Sequence, residues 1–160
     1  VKYLVYEAEF KDIMGNGVDI PDPDRTKHKA ARKAALDAGR AKGLKDDEIT
    51  FEQPMLESVD YGQAMMWFVN DISRWRAIMA QMTKAKDVEP VTPQDTGHAL
   101  AVVRAFLSPK NGYVALDEND LVWLKKFTED YGALAFTGLT QALILERLAK
   151  IKEGMPPTEA

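Results

Sequence analysis

The sequence predicts a mainly α protein with a small antiparallel β element, an α+β fold of about four to five helices in one domain. Three observations predict it. Apolar residues recur at helical spacing over most of residues 58–152, alternation of period 2 is confined to short stretches of the N-terminal third, and 160 residues at 46% hydrophobic suffice for one core. The chain divides into an N-terminal β part with a basic helix (1–53), a helical body (58–152) and a tail (153–160) expected to fray.

Residues 2–10 (KYLVYEAEF) place Leu4, Tyr6, Ala8 and Phe10 on one face and Glu7 and Glu9 on the other, the pattern of a half-buried strand. Gly15-Asn16-Gly17 predicts a tight turn, after which Val18 to Ile20 has the makings of a short return strand. Two prolines in residues 19–24 (DIPDPD) exclude helix and central strand there. Ile49 to Gln53 is expected to pair with the first strand, with Ile49 and Phe51 on one face.

Between them, residues 25–45 carry eight basic side chains against one acid, Asp37, which makes +7; with −4 overall, the remainder of the chain sums to −11. Asp24 is placed to cap a helix over this window, and its interior is dominated by alanine, the strongest helix former. At about 100° per residue, Arg25, Lys29, Arg32, Lys33 and Arg40 fall in one arc and Ala30, Ala31, Ala34, Ala38 and Ala41 lie opposite. Burying alanine alone removes little area from water, so the helix is expected to pack closely or dock weakly.

The strongest periodicity follows. Tyr61, Met65, Phe68, Ile72, Trp75, Met79 and Met82 recur at alternating spacings of four and three, which predicts one long helix from Ser58 or Asp60 to Lys84-Ala85-Lys86. Met66, Trp67, Val69 and Ile78 widen the seam, as expected of a helix in the middle of a domain. Part of the seam has a second reading, a subunit contact, because Met and Trp are abundant for a domain of this size. A proline-bearing connector (87–93) leads to Thr92-Pro93-Gln94-Asp95, a helix start, and a helix to about Leu107 with Leu100, Val103 and Leu107 inward. Ser108 to Gly112 breaks it, and Tyr113 to Leu116 is extended. Asp117 then caps a helix bearing Leu121, Leu124 and Phe127 that Gly132 stops. The last helix spans 139–152 and buries some combination of Leu143, Leu145, Leu148 and Ile151.

Function classes narrow by exclusion. The chain has no cysteine and two histidines, which removes thiolate zinc sites, cysteine nucleophiles and histidine-rich metal centres. No phosphate-binding glycine pattern, nucleophile elbow or membrane-length apolar run is present. The N-terminus turns acidic too early for a signal peptide, so the expectation is a cytoplasmic protein with no membrane partner. Asp19, Asp22 and Asp24 sit in a loop that could order a hard cation; the reading taken is a solvated loop that caps the next helix. Asp46-Asp47-Glu48 reads as a turn, Asp117 to Asp120 as a helix N-terminus, and His98 as a surface or packing residue. No metal, cofactor or catalytic residue is assigned.

The basic face, Arg25, Lys29, Arg32, Lys33 and Arg40, has two uses. It can grip an acidic protein surface, including that of a second copy, or it can contact nucleic-acid phosphates. Protein docking is preferred, because the face has no aromatic for base stacking and the rest of the chain repels a polyanion. In the C-terminal third, Val114, Leu116, Asp120, Leu121, Leu124 and the Leu139 to Leu148 helix follow a short extended segment with a capped apolar helix. With the short β start and middle helix, this order resembles the small helical accessory proteins of tailed-phage structural gene modules. The resemblance implies a structural protein working by contacts in a virion or its assembly. The expected function is therefore a non-enzymatic structural or interaction protein, homo-oligomeric or bound to another protein. The alternative is a small nucleic-acid-binding or regulatory protein.

Overall fold

The computed structural model describes residues 1–84 and 90–152. The expected fraying of 153–160, the helix end at Ala85 and Lys86, and residues 87–89 of the connector lie outside the described residues. The chain is mainly α with a small β element. In order it forms β1 (Lys2–Val5), β2 (Ile20–Pro21), α1 (Arg25–Ala41), a 3₁₀ turn (Asp46–Glu48), β3 (Met55–Leu56), α2 (Tyr61–Asn70) and α3 (Ile72–Met82). It continues through α4 (Pro93–Leu107), β4 (Tyr113–Leu116), α5 (Glu118–Ala135), α6 (Gly138–Ala149) and β5 (Ile151–Lys152).

The strand pairing differs from the expectation. β1 does not pair with Ile49 to Gln53; it is the central strand of an antiparallel sheet ordered β4-β1-β5, with Leu4 opposite both Val114 and Ile151. Val114 and Leu116 alternate inward on β4, so pairing there adds two large side chains to the face that already buries Leu4. The strand ends at Val5 rather than at residue 10, where the chain turns to offer the Glu7 and Glu9 carbonyls to the Arg147 guanidinium, at 3.0 and 2.6 Å. Ile20–Pro21 returns as a strand onto Met55–Leu56, and its proline, which has no N–H to donate, keeps it short.

The long helix is in fact two. Asp71, at φ −96° and ψ 33°, separates α2 from α3. The cause is a side chain: the Trp75 indole donates to the Phe68 carbonyl at 2.8 Å, and in a continuous helix that carbonyl would take the Ile72 N–H. The seam still lands on one side. Tyr61, Met65, Phe68, Ile72 and Trp75 are buried, Met79 is half-buried and Met82 is 65% exposed. Phe68 sits among Trp75, Phe127 and Phe136, with centroids 4.8 to 6.2 Å away, at the centre of the core.

Three expectations in the C-terminal half are corrected. On α4 the buried residues are Val102 and Phe106, while Leu100 and Leu107 are 48% and 61% exposed, because α2 and α5 pack a face rotated from the expected one. Gly132 does not stop α5, which runs on to Ala135; it is a close approach, where a Cβ would lie 2.8 Å from Gln141 Cγ of α6. α6 ends at Ala149, and Ile151 leaves the helix to join β1. No helix among the described residues is long and apolar enough to cross a membrane.

Candidate docking surface: the basic arm and the cleft at its base

The basic window folds as α1, capped by Asp24, whose carboxylate accepts the Thr26 N–H at 2.9 Å. Its covered face is not the expected alanine stripe. His28, Ala31, Ala35, Leu36 and Gly39 are at least half covered, whereas Ala30, Ala34, Ala38 and Ala41 are exposed. The cover is the segment that follows the helix. His28 meets the Phe51 ring edge-on at 5.3 Å, and Ile49 lies over Gly39 so closely that a Cβ there would be 2.5 Å from it. Those are the two residues assigned to a strand by alternation, and they are diverted to seal the helix.

Four of the five expected contact residues, Arg25, Lys29, Arg32 and Lys33, are exposed without an ion pair or hydrogen bond among the described residues. The fifth is engaged. Arg40 grips Asp46 with two hydrogen bonds of 2.8 and 2.7 Å, which hold the Asp46 carboxyl below its ordinary range and tie the helix end to the 3₁₀ turn. Of the seam residues, Tyr61, Met65, Phe68, Ile72 and Trp75 lie within the chain's own core, and Met82 is exposed at the end of α3.

The start of α1 lines a cleft of about 730 Å³ against the β2–β3 pair and the α2–α3 junction. Ile20, Leu56, Met66, Trp67 and Val103 give it an apolar lining, and Arg25, His28, Gln53, Asn70, Asp71 and Arg74 add polar groups. Burial pushes the Asp71 carboxyl above its usual range, with the nearby Arg74 and Arg25 charges acting against that. The buried Nδ1 of His28 has no hydrogen-bond partner among the described residues. The helix break that sequence periodicity concealed thus lies on the cleft wall.

The acidic loop borders the same cleft through Asp22, which accepts the Asp24 N–H and faces Lys27 at 3.5 Å, while Asp19 accepts the Ser58 N–H. Asp95 does more than cap α4. It accepts from the Trp123 indole at 3.1 Å, the Arg76 guanidinium at 2.7 Å and the Thr92 hydroxyl at 3.0 Å, fastening α3, α4 and α5 together. Burial alone would raise its pKa, but these bonds outweigh it and hold the group at about 2. His98 packs on Trp123 and meets Asp120 at 2.7 Å, a pairing across two helices that no linear spacing shows.

One surface feature escaped the sequence reading. Ile13 and Met14 are 59% and 80% exposed at the tip of a closed turn. Asp12 accepts the N–H groups of Met14 and Asn16, each at 2.9 Å, and Gly15 takes φ +82°. Two large apolar residues beside a Gly-Asn-Gly turn are out of place by composition, and that was the available signal. The chain matches no family model, no curated protein and no solved structure.

Proposed function

We propose that this chain is a non-enzymatic interaction protein that docks through the basic face of α1 onto an acidic protein surface. The observation that supports it is the packing of α1. A 17-residue helix is sealed mainly by its own following segment, leaving Arg25, Lys29, Arg32 and Lys33 exposed. A row of exposed cations that form no ion pair among the described residues, on an element that adds little to the core, suits recognition better than stability. The nearest acidic surface is a second copy, since the chain outside the window carries −11. The resemblance in element order to tailed-phage accessory proteins makes virion assembly the setting of this reading.

Light scattering over a concentration series, at low and high salt, tests it. The expected result is association that weakens with salt and is lost in Lys29→Glu/Lys33→Glu. The competing reading has its own signature: a monomer that binds duplex DNA, with affinity falling steeply as salt rises, would give the basic face to nucleic acid.

A further inference from the structure

We infer that residues 22–54 form a docking arm that depends for its fold on the rest of the chain, the body, while the body does not depend on the arm. Partner binding through α1 is then removable with the core intact. The inference rests on the docking reading above and confines its surface to one segment. Three observations carry it. The first is the core: among the described residues it passes from Ile20 to Leu56 and Val59, and neither its buried members nor the half-buried apolar residues packed on them come from 22–54. The second is the neck. Ile20 and Pro21 pair with Leu56 and Met55, and the Asp22 N–H donates to the Pro54 carbonyl at 2.9 Å, so the arm leaves and re-enters the body at adjacent points. A long excursion between adjacent points adds only slowly growing closure entropy to the β2–β3 pair, and a short loop spans the same points.

The third is where the arm's own contacts lie. Among the described residues, its ion pairs, Lys27 with Asp22 and Arg40 with Asp46, and its side-chain hydrogen bonds all close within it. So do the His28 contact with Phe51 and the close seat of Ile49 over Gly39. Toward the body the arm presents a gap: the cleft of about 730 Å³ has Arg25, His28 and Gln53 on one side and Asn70, Asp71 and Arg74 on the other. The dependence therefore runs one way. A segment shorter than about 40 residues, with Leu36, Ile49 and Phe51 only half covered, is too small to hold a core alone and needs the neck to fix its ends. The body loses no core residue with it. A partner gripped by Lys29, Arg32 and Lys33 is thus held by an element that can open without unfolding the core.

Two variants test this. In the first, a short Gly-Ser linker replaces residues 23–53 and joins the hydrogen-bonded Asp22 and Pro54. It is expected to keep a sigmoidal thermal transition by circular dichroism, with a midpoint within about 5 °C of the intact chain's, and to lose salt-sensitive association in sedimentation velocity. The second, Ile49→Ser/Phe51→Ser, unseals α1 and leaves the neck as it is. Its α1 amides are expected to exchange hydrogen at least about tenfold faster than in the intact chain, while those of α2 and α5 keep their rates. If the first variant does not fold, the second decides: α2 and α5 amides that speed up together with α1 overturn the inference, and unchanged ones uphold it. A folded first variant that associates as the intact chain does also overturns it, because the docking surface then lies on the body. An intact chain that stays monomeric at low and high salt removes the second copy as the partner, and the two folding measurements still decide whether arm and core are separable.

Discussion

Asp95 shows how one side chain can join three helices. It accepts from Trp123 of α5, Arg76 of α3 and Thr92 ahead of α4, and its side chain is only 19% exposed. Asp95→Asn keeps the size but loses the charge that strengthens those bonds, and it is expected to cost about 2 kcal/mol at neutral pH. The pH dependence has a definite sign. The folded pKa of about 2 lies below the unfolded value near about 3.9, so the contribution is complete above about pH 4 and is lost as pH falls through about 2. Urea unfolding of both proteins from pH 7 to pH 2 should therefore show a gap that closes with acid. A constant gap would mean that packing rather than charge is at stake. The capping role of Asp95 was legible as Thr-Pro-Gln-Asp; its bonds to Arg76 and Trp123 were not, because they cross 19 and 28 residues of chain.

At the scale of elements, two helices behave differently from their sequence patterns. The α2–α3 break exists because the Trp75 indole takes the Phe68 carbonyl in the buried core. Trp75→Phe leaves that carbonyl without its partner, and stability should fall by about 2 kcal/mol, the sum of a lost buried acceptor and lost volume. Chemical denaturation measures it, and a loss under about 0.5 kcal/mol would mean that the backbone straightens and recovers the bond. α1 has the opposite character. Its cover is Ile49 and Phe51 and its end is held by an exposed ion pair, so it is expected to open locally without global unfolding. Hydrogen exchange should find α1 amides exchanging at least about a hundredfold faster than those of α5, whose Leu121, Leu124 and Phe127 are buried. Equal protection would show that the arm is cooperative with the body.

At the scale of the molecule, the two ends of the described chain meet in one sheet. β1 is central, flanked by β4 and β5, and Arg147 bonds the carbonyls of Glu7 and Glu9 while its guanidinium lies 4.7 Å from the Tyr61 ring centroid. Deleting residues 1–10 removes the shared strand, buried Leu4 and Phe10, and the Arg147 acceptors at once. That deletion is expected to abolish cooperative unfolding, which thermal circular dichroism would report as the loss of a sigmoidal transition. A folded, cooperative remainder would locate the stability entirely in the helices.

Local information determined a good deal. Asp24 and Thr92 marked helix starts because capping depends on residues within one turn, and Leu121, Leu124 and Phe127 marked a buried face because helical period is intrinsic to the backbone. The charge division was likewise complete in the composition, and so was the basic arc of α1. Tertiary structure alone decided which strands pair, since Ile49 to Gln53 and Tyr113 to Leu116 both satisfy a strand pattern and only packing chose the second. It decided where the long helix breaks, because an indole seven residues along competes for one carbonyl. It also assembled the cleft, whose lining runs from Ile20 to Val103 across two strands and four helices. Period and propensity act over a few residues, whereas a surface for recognition is made by residues that meet only when the chain folds.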